Sequence, residues 1–349
     1  MDGMDDAPET PEPPRRRSRA HSGARRSDSG RSDDRPAGIL GLATDFATAT
    51  LSIGSGMRVS AYAVLVFSAA SIVLWLLPGS AWIYGPVVGF AGICLALGWN
   101  ALTGIELPLP TIVLLALAGA LIPAVVAYTG DLADAVPLIG LAVIGVAATT
   151  LATAPSPHDR SITPPEEDPA PASSPVPRRR KGEGPTMPTS LALASALSAL
   201  ALIVGGTAWI ALDVLSQWAV VVPIACVVVV AVVWGDQIGS SYRSQSLGAL
   251  GVGVVAGLVA AVGVWWLGRT TALMPIVLPR LADAVGKLGA VCILGVAAGL
   301  AVAVAVIVLD GLLGDHLVRR PPLGALARGA AKFLIAAIPV YAMIRIGGI

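Results

Sequence analysis

The sequence predicts an all-α protein: a polytopic transmembrane helical bundle of eight or nine spans, with a disordered N-terminal tail and a disordered central linker. Three observations carry this. Hydrophobic residues make up 55% of the chain against 13% charged, too apolar a balance for a water-soluble domain, so much of that surface must face lipid. Apolar runs of about twenty residues, the length a helix needs to cross a hydrocarbon core of roughly 30 Å, recur along the chain. The runs are continuous rather than alternating, which selects helices over barrel strands.

Residues 1–38, rich in Pro, Ser, Asp and Arg, hold too little apolar surface to offset the entropy of ordering, and read as a disordered cytoplasmic tail. No short apolar core of a cleavable signal lies near the start. The stretch 38–57 is weakly amphipathic, as a segment lying at the interface would be. Spans are then expected over 60–78, 81–101, 109–129 and 132–153, forming a four-span membrane half within 39–153. Residues 154–188 alternate Pro and Ser with charges, the composition of an extended, disordered cytoplasmic linker. Beyond it, 189–349 is expected to hold about five spans: 189–212, 216–234, 246–268, 287–309 and 325–347. The last carries Lys332, Pro339 and Arg345 and is the one that decides between eight and nine. No internal repeat relates the two halves, so the inverted-repeat signature of many transporters is not visible.

Lys and Arg near the span ends set the orientation. With the tail in the cytoplasm, Arg58, the Arg178–Lys181 cluster, Arg243, Arg319, Arg320 and Arg328 fall inside, and Arg269, Arg280, Lys287 and Arg345 fall outside. This predicts a multi-pass protein of a bacterial plasma membrane with its N-terminus cytoplasmic. The tryptophans lie near proposed span ends, where interfacial anchoring is favoured. Cys94, Cys226 and Cys292 each sit in an apolar run and read as small hydrophobes, neither disulfides nor ligands.

Small residues recur every fourth position at Gly253, Gly257 and Ala261, and again at Gly295, Gly299 and Ala303. Such stripes let helix backbones approach where no hydrophobic effect drives helices together, so these two spans are expected to pack as a pair or each against another helix.

Working parts of a polytopic protein show as polar residues the bilayer should exclude. Most spans contain no ionisable group, which argues against a pump with a buried carboxylate relay. Asn100 and Lys332 are the deepest exceptions, and Lys332 is expected to snorkel to the interface along its four-carbon stem. The remaining charges gather at the cytoplasmic face, giving as candidate ligand contacts Asp236, Tyr242 and Arg243 in one segment, and Asp310, Asp315, His316, Arg319, Arg320 and Lys332 in another. Carboxylates that hold a divalent cation beside arginines that grip phosphate are what a lipid-phosphate enzyme needs. The Gly235-Asp236 pair with Ser and Arg after it, then Asp310-Gly311, resembles phosphatidate cytidylyltransferases. That family's Lys-Asp at the matching interval, its His-Gly-Gly and its Asp-Arg-x-Asp are missing, so no metal site or cofactor is expected. Asp, Gly, Ser and Arg are also turn formers, and the plainer reading of 235–243 is a cytoplasmic turn.

A second resemblance runs through "ALGWNALTGIELPLPTIVLLALAGALIPAVVAYTGDLADAVPLIGLAVIGVAATTL", in Gly98-Trp99, Leu102 to Gly104, Pro108 and the acidic turn at Asp131. Together with "LDGLLGDHLVRRPPLGALARGAA", it is similar to an actinobacterial family of multi-pass integral membrane proteins. The resemblance implies this architecture and a cell-envelope setting, and carries over no activity and no functional residue. The arginine-dominated basic composition agrees with such an origin.

Three functions stay open: a permease-like or envelope-associated transport component, a membrane-embedded lipid-phosphate enzyme, and a non-catalytic scaffold. An enzyme is the less favoured. The bilayer itself is the expected partner; the Arg15–Arg17, Arg25-Arg26 and Arg178–Lys181 clusters could touch anionic lipid, though for the tail a solvated segment is the plainer reading. Acidic residues interleave with the arginines of the tail, so no specific nucleic-acid binding is expected.

Overall fold

The computed structural model describes residues 55–77, 81–153, 188–214, 219–236, 242–268, 279–313 and 322–347. Among these, all regular structure is helical. In chain order the helices are α1 (Ser55–Leu76), α2 (Ala81–Thr103), α3 (Leu109–Thr129), a 3-10 turn (Ala133–Ala135), α4 (Val136–Ala152), α5 (Thr189–Gly206), α6 (Ala208–Val214), α7 (Val221–Gly235), α8 (Tyr242–Trp266), α9 (Pro279–Leu313) and α10 (Pro322–Gly347).

Eight helical segments are long and apolar enough to cross a membrane, with α5 and α6 counted as one through Thr207. The segment read as 325–347 is one of them, running Pro322–Ile346. The segment read as 216–234 is the exception: its helix, α7, has only 15 residues. At 1.5 Å per residue it rises about 22 Å, short of a core of roughly 30 Å. The tail, the stretch 38–54 and the central linker with its arginine cluster lie outside the described residues.

Local chemistry explains several boundaries. Prolines near the starts of α3 and α4 occupy positions whose N–H has no helical acceptor. Gly130 ends α3 in the left-handed region (φ 77°) and returns its N–H to the Val126 carbonyl at 2.9 Å. Gly286, with φ 77° and ψ 161°, breaks α9 near its start, so the unbroken helix begins where the apolar run does. Asn100 clasps the α2–α3 connection, donating to the Leu107 carbonyl (3.2 Å) and accepting from the Leu107 N–H (3.0 Å). Its polar depth is thereby explained by loop closure.

α10 is the hub, packing against α1, α2, α5, α6, α7 and α9. It joins the segments on either side of the linker, since α1 and α2 come from the first half. α7 is nearly as central, between α1, α8, α9 and α10. Most of its side chains are buried, including Ile224, Cys226, Val229 and Val232. Tryptophans are not only at the rim. Trp82 and Trp266 are exposed, but Trp75, Trp99 and Trp209 are buried. Trp99 and Trp209 find partners inside, Trp99 Nε1 donating to Ser195 Oγ (2.8 Å) and Trp209 Nε1 to the Phe333 carbonyl (2.9 Å). A buried indole with a satisfied N–H has no need of the interface.

The two glycine stripes face one another across α8 and α9. A Cβ built on Gly257 would overlap the Gly295 carbonyl, and one on Gly299 would overlap that of Gly253. The backbones touch where side chains are missing. Gly257→Ala is therefore expected to cost about 1–3 kcal/mol by forcing the helices apart. Gly251→Ala, where nothing lies within 4 Å, is expected to be neutral or to gain up to about 1 kcal/mol from helix propensity. Unfolding titrations of both variants in mixed micelles check the contrast; equal losses would mean that the stripe is not the contact.

Candidate functional site: a buried cluster of four charges

Three helices deliver four ionisable side chains to one point. Asp236 is the residue after α7, its N–H returned to the Val232 carbonyl at 2.8 Å. Asp310 lies in the last turn of α9. Arg328 and Lys332 stand four residues apart on α10 and so share a face. Lys332 Nζ donates to Asp236 Oδ2 at 3.2 Å and lies 2.7 Å from Asp310 Oδ2. Arg328 donates to Asp310 Oδ1 through Nε at 3.0 Å and also through an Nη. The side chains are largely shielded: 4% exposed for Lys332, 9% for Asp310, 11% for Arg328 and 19% for Asp236.

Two carboxylates and two cations make the cluster formally neutral. Neutrality is what lets it stay buried, because an unpaired charge in such a place costs several kcal/mol. Asp236 is shielded because α7 ends beside the middle of a neighbour: Gly235 lies against Val252 and the Gly248 carbonyl of α8, which begins six residues earlier at Tyr242.

Lys332 does not snorkel. Its stem and ammonium are buried because two carboxylates meet it inside the bundle, which removes the reason to reach for water. Asp236, in the segment read as a turn, does follow a helix end, but its side chain points into this cluster instead of into solvent. Of the other predicted contacts, Arg243 is exposed at the start of α8, and Tyr242 is the first residue of that helix. Asp315, His316, Arg319 and Arg320 lie outside the described residues. Arg328 was not among the predicted contacts. Its signal was present: it is one of the charges that 309–334 brings to the same face, one helical turn before Lys332.

As chemistry, the arrangement is a closed set of ion pairs. The Lys332 ammonium sits between the two carboxylates, where a shared divalent cation would have to lie. Asp310 already engages the guanidinium of Arg328. Among the described residues, no three His, Cys, Asp or Glu side chains gather as a metal site.

A second polar feature runs along α1. Ser60 and Ser68 are buried with no hydrogen-bond partner for their hydroxyls. Farther along, buried Ser71 neighbours Tyr84 of α2 and Cys226 of α7. Ser60 lies beside Gly329 of α10, which places it near the level of the charge cluster.

No protein-family model, curated protein or solved structure matches the chain. What the cluster does is therefore read from its geometry.

Proposed function

We propose that the chain is a permease-like transport component of the cell membrane, and that the four-charge cluster is a latch closing a path on the cytoplasmic face. The observation that carries this reading is the Lys332 ammonium bridging Asp236 and Asp310 at the recessed end of α7. Anchoring three helices does not require charges, since apolar packing of the same volume is as good or better. Ionisable groups kept inside a membrane bundle are by default groups that work there. A short helix ending at a charged group inside the bundle is also how many transport sites are built. Buried Ser60 and Ser71, eleven residues apart on one face of α1, add polar groups leading away from the latch.

The lipid-phosphate enzyme is less well supported. Its carboxylates would have to release Lys332 to take a metal, and the arginine at hand is held by Asp310.

Sided thiol labelling tests the proposal. In a background with Cys94, Cys226 and Cys292 replaced by Ala, Ser60→Cys and Ser71→Cys are challenged with a membrane-impermeant thiol reagent from each face of sealed vesicles. Ser60→Cys is expected to react from the cytoplasmic face, several-fold faster when Asp236→Asn and Lys332→Gln neutralise the latch together. If neither position reacts from either face, with the latch intact or neutral, there is no path, and a scaffold is the better account.

A further inference from the structure

α7 is flanked by two longer helices, α1 and α8. Over its surface runs a groove of about 560 Å³ with almost wholly apolar walls. Leu65 and Ile72 mark its ends on α1, Cys226 and Trp234 mark them on α7, Val252 contributes from α8, and Ser68 is the hydroxyl-bearing residue of the wall. Leu65 and Val227 are partly exposed on the outer surface, so the groove opens sideways, toward where lipid would lie.

Its length falls within one leaflet. Seven residues separate the end markers on α1 and eight on α7, rises of about 10 and 12 Å. A leaflet contributes about half of a core of roughly 30 Å. Cys226, near the start of α7, neighbours Ser71, near the end of α1, so the two helices run antiparallel. The Trp234 end of the groove is accordingly the end near Asp236 and the start of α1.

A charge stands at that mouth. Arg58, Leu65 and Ile72 are seven residues apart and fall on one stripe of α1, since seven residues are within about 20° of two full turns. Arg58 is exposed, two turns closer to the membrane surface than Leu65. An apolar groove within one leaflet, with an arginine two turns beyond its end, is complementary to an amphiphile with an anionic head. The unpartnered Ser68 hydroxyl in the wall offers a donor that packed helices do not use.

We propose that this groove is a lipid-binding site: it holds one acyl chain of an anionic membrane phospholipid, from the leaflet on the side of the charge cluster, with the headgroup phosphate on Arg58. The site stands independently of the latch.

The test uses the full chain in liposomes containing phosphatidylglycerol that carries a photoactivatable diazirine in its acyl chain, with a phosphatidylcholine analogue in parallel. Adducts are located by mass spectrometry. Phosphatidylglycerol adducts are expected on 65–72 and 226–234, several-fold above those on Leu141 and Ile144, which are exposed on α4 and meet any surrounding lipid. Ala69→Trp, which fills the groove, is expected to abolish the excess for both lipids, and Arg58→Gln to bring phosphatidylglycerol down to the phosphatidylcholine level. Gel filtration confirms that each variant remains folded. Labelling that is as strong on α4 as in the groove, or that is unchanged by Ala69→Trp, would mean ordinary boundary lipid only and would overturn the site. Labelling of the groove that ignores headgroup and Arg58→Gln alike would overturn the anionic specificity.

Discussion

Lys332→Met is expected to destabilise the protein by about 3–5 kcal/mol, the cost of removing one partner from a buried ion pair. Methionine fills nearly the same volume, so the loss is electrostatic. Asp236 is left facing Asp310 with no cation between them, while Asp310 keeps Arg328. Lys332→Arg is not a neutral control, because a planar fork does not replace a compact ammonium between two carboxylates. Denaturant titration in mixed micelles, read by tryptophan fluorescence, measures the effect. A loss under about 1 kcal/mol, the range of a solvated surface pair, would mean that the cluster is open to water.

Trp209→Ala carries an expected loss of similar size, about 3–5 kcal/mol, for a different reason. The indole is fully buried and stacks on Phe333 with centroids 5.4 Å apart and an interplanar angle of 16°. Phe333 in turn stacks on Phe67 of α1 at 5.5 Å. Trp209 Nε1 also donates to the Phe333 carbonyl, so α6, α10 and α1 are tied through one aromatic column. Trp209→Phe keeps most of the stacking and loses the donor, and is expected to cost about 1–2 kcal/mol, near the worth of one buried hydrogen bond. Trp266→Ala, at an 86% exposed position, is the control and is expected to change little. Because Phe333 follows Lys332, losing the column loosens the helix that carries both cations of the cluster. If Trp209→Ala and Trp266→Ala prove equally mild, the column is not a support of the fold.

Much of the architecture was legible in the sequence, because a membrane imposes one rule on every span: long, apolar and helical. The glycine stripes were legible in part. Four-residue spacing predicts close approach, but only the fold shows that Gly257 meets Gly295 rather than a third helix. The depth of Trp99 and Trp209 was not legible, since a tryptophan near a span end looks the same whether it faces headgroups or a serine on a neighbouring helix. The short α7 was hidden for a related reason. Its apolar run continues past the helix start, and hydropathy does not register where a helix begins.

The candidate site shows the limit most clearly. Asp236, Asp310 and Lys332 were all visible as charges bordering or interrupting apolar runs, but nothing in sequence spacing relates residues 74 and 96 positions from the first of them. Convergence is a property of helix packing. So is the inversion of the reading of Lys332, which a lone lysine suggests is a snorkelling residue and two facing carboxylates turn into the centre of a buried cluster.

The central claim is that these charges act as one buried, mutually dependent unit. A double-mutant cycle over Lys332→Met and Asp236→Asn, read as unfolding free energy in mixed micelles, tests it most directly. The prediction is that the double variant is more stable than Lys332→Met alone, with a coupling of about 1–3 kcal/mol. Additive losses, within about 0.5 kcal/mol, would show that the two groups do not sense one another and would contradict the account.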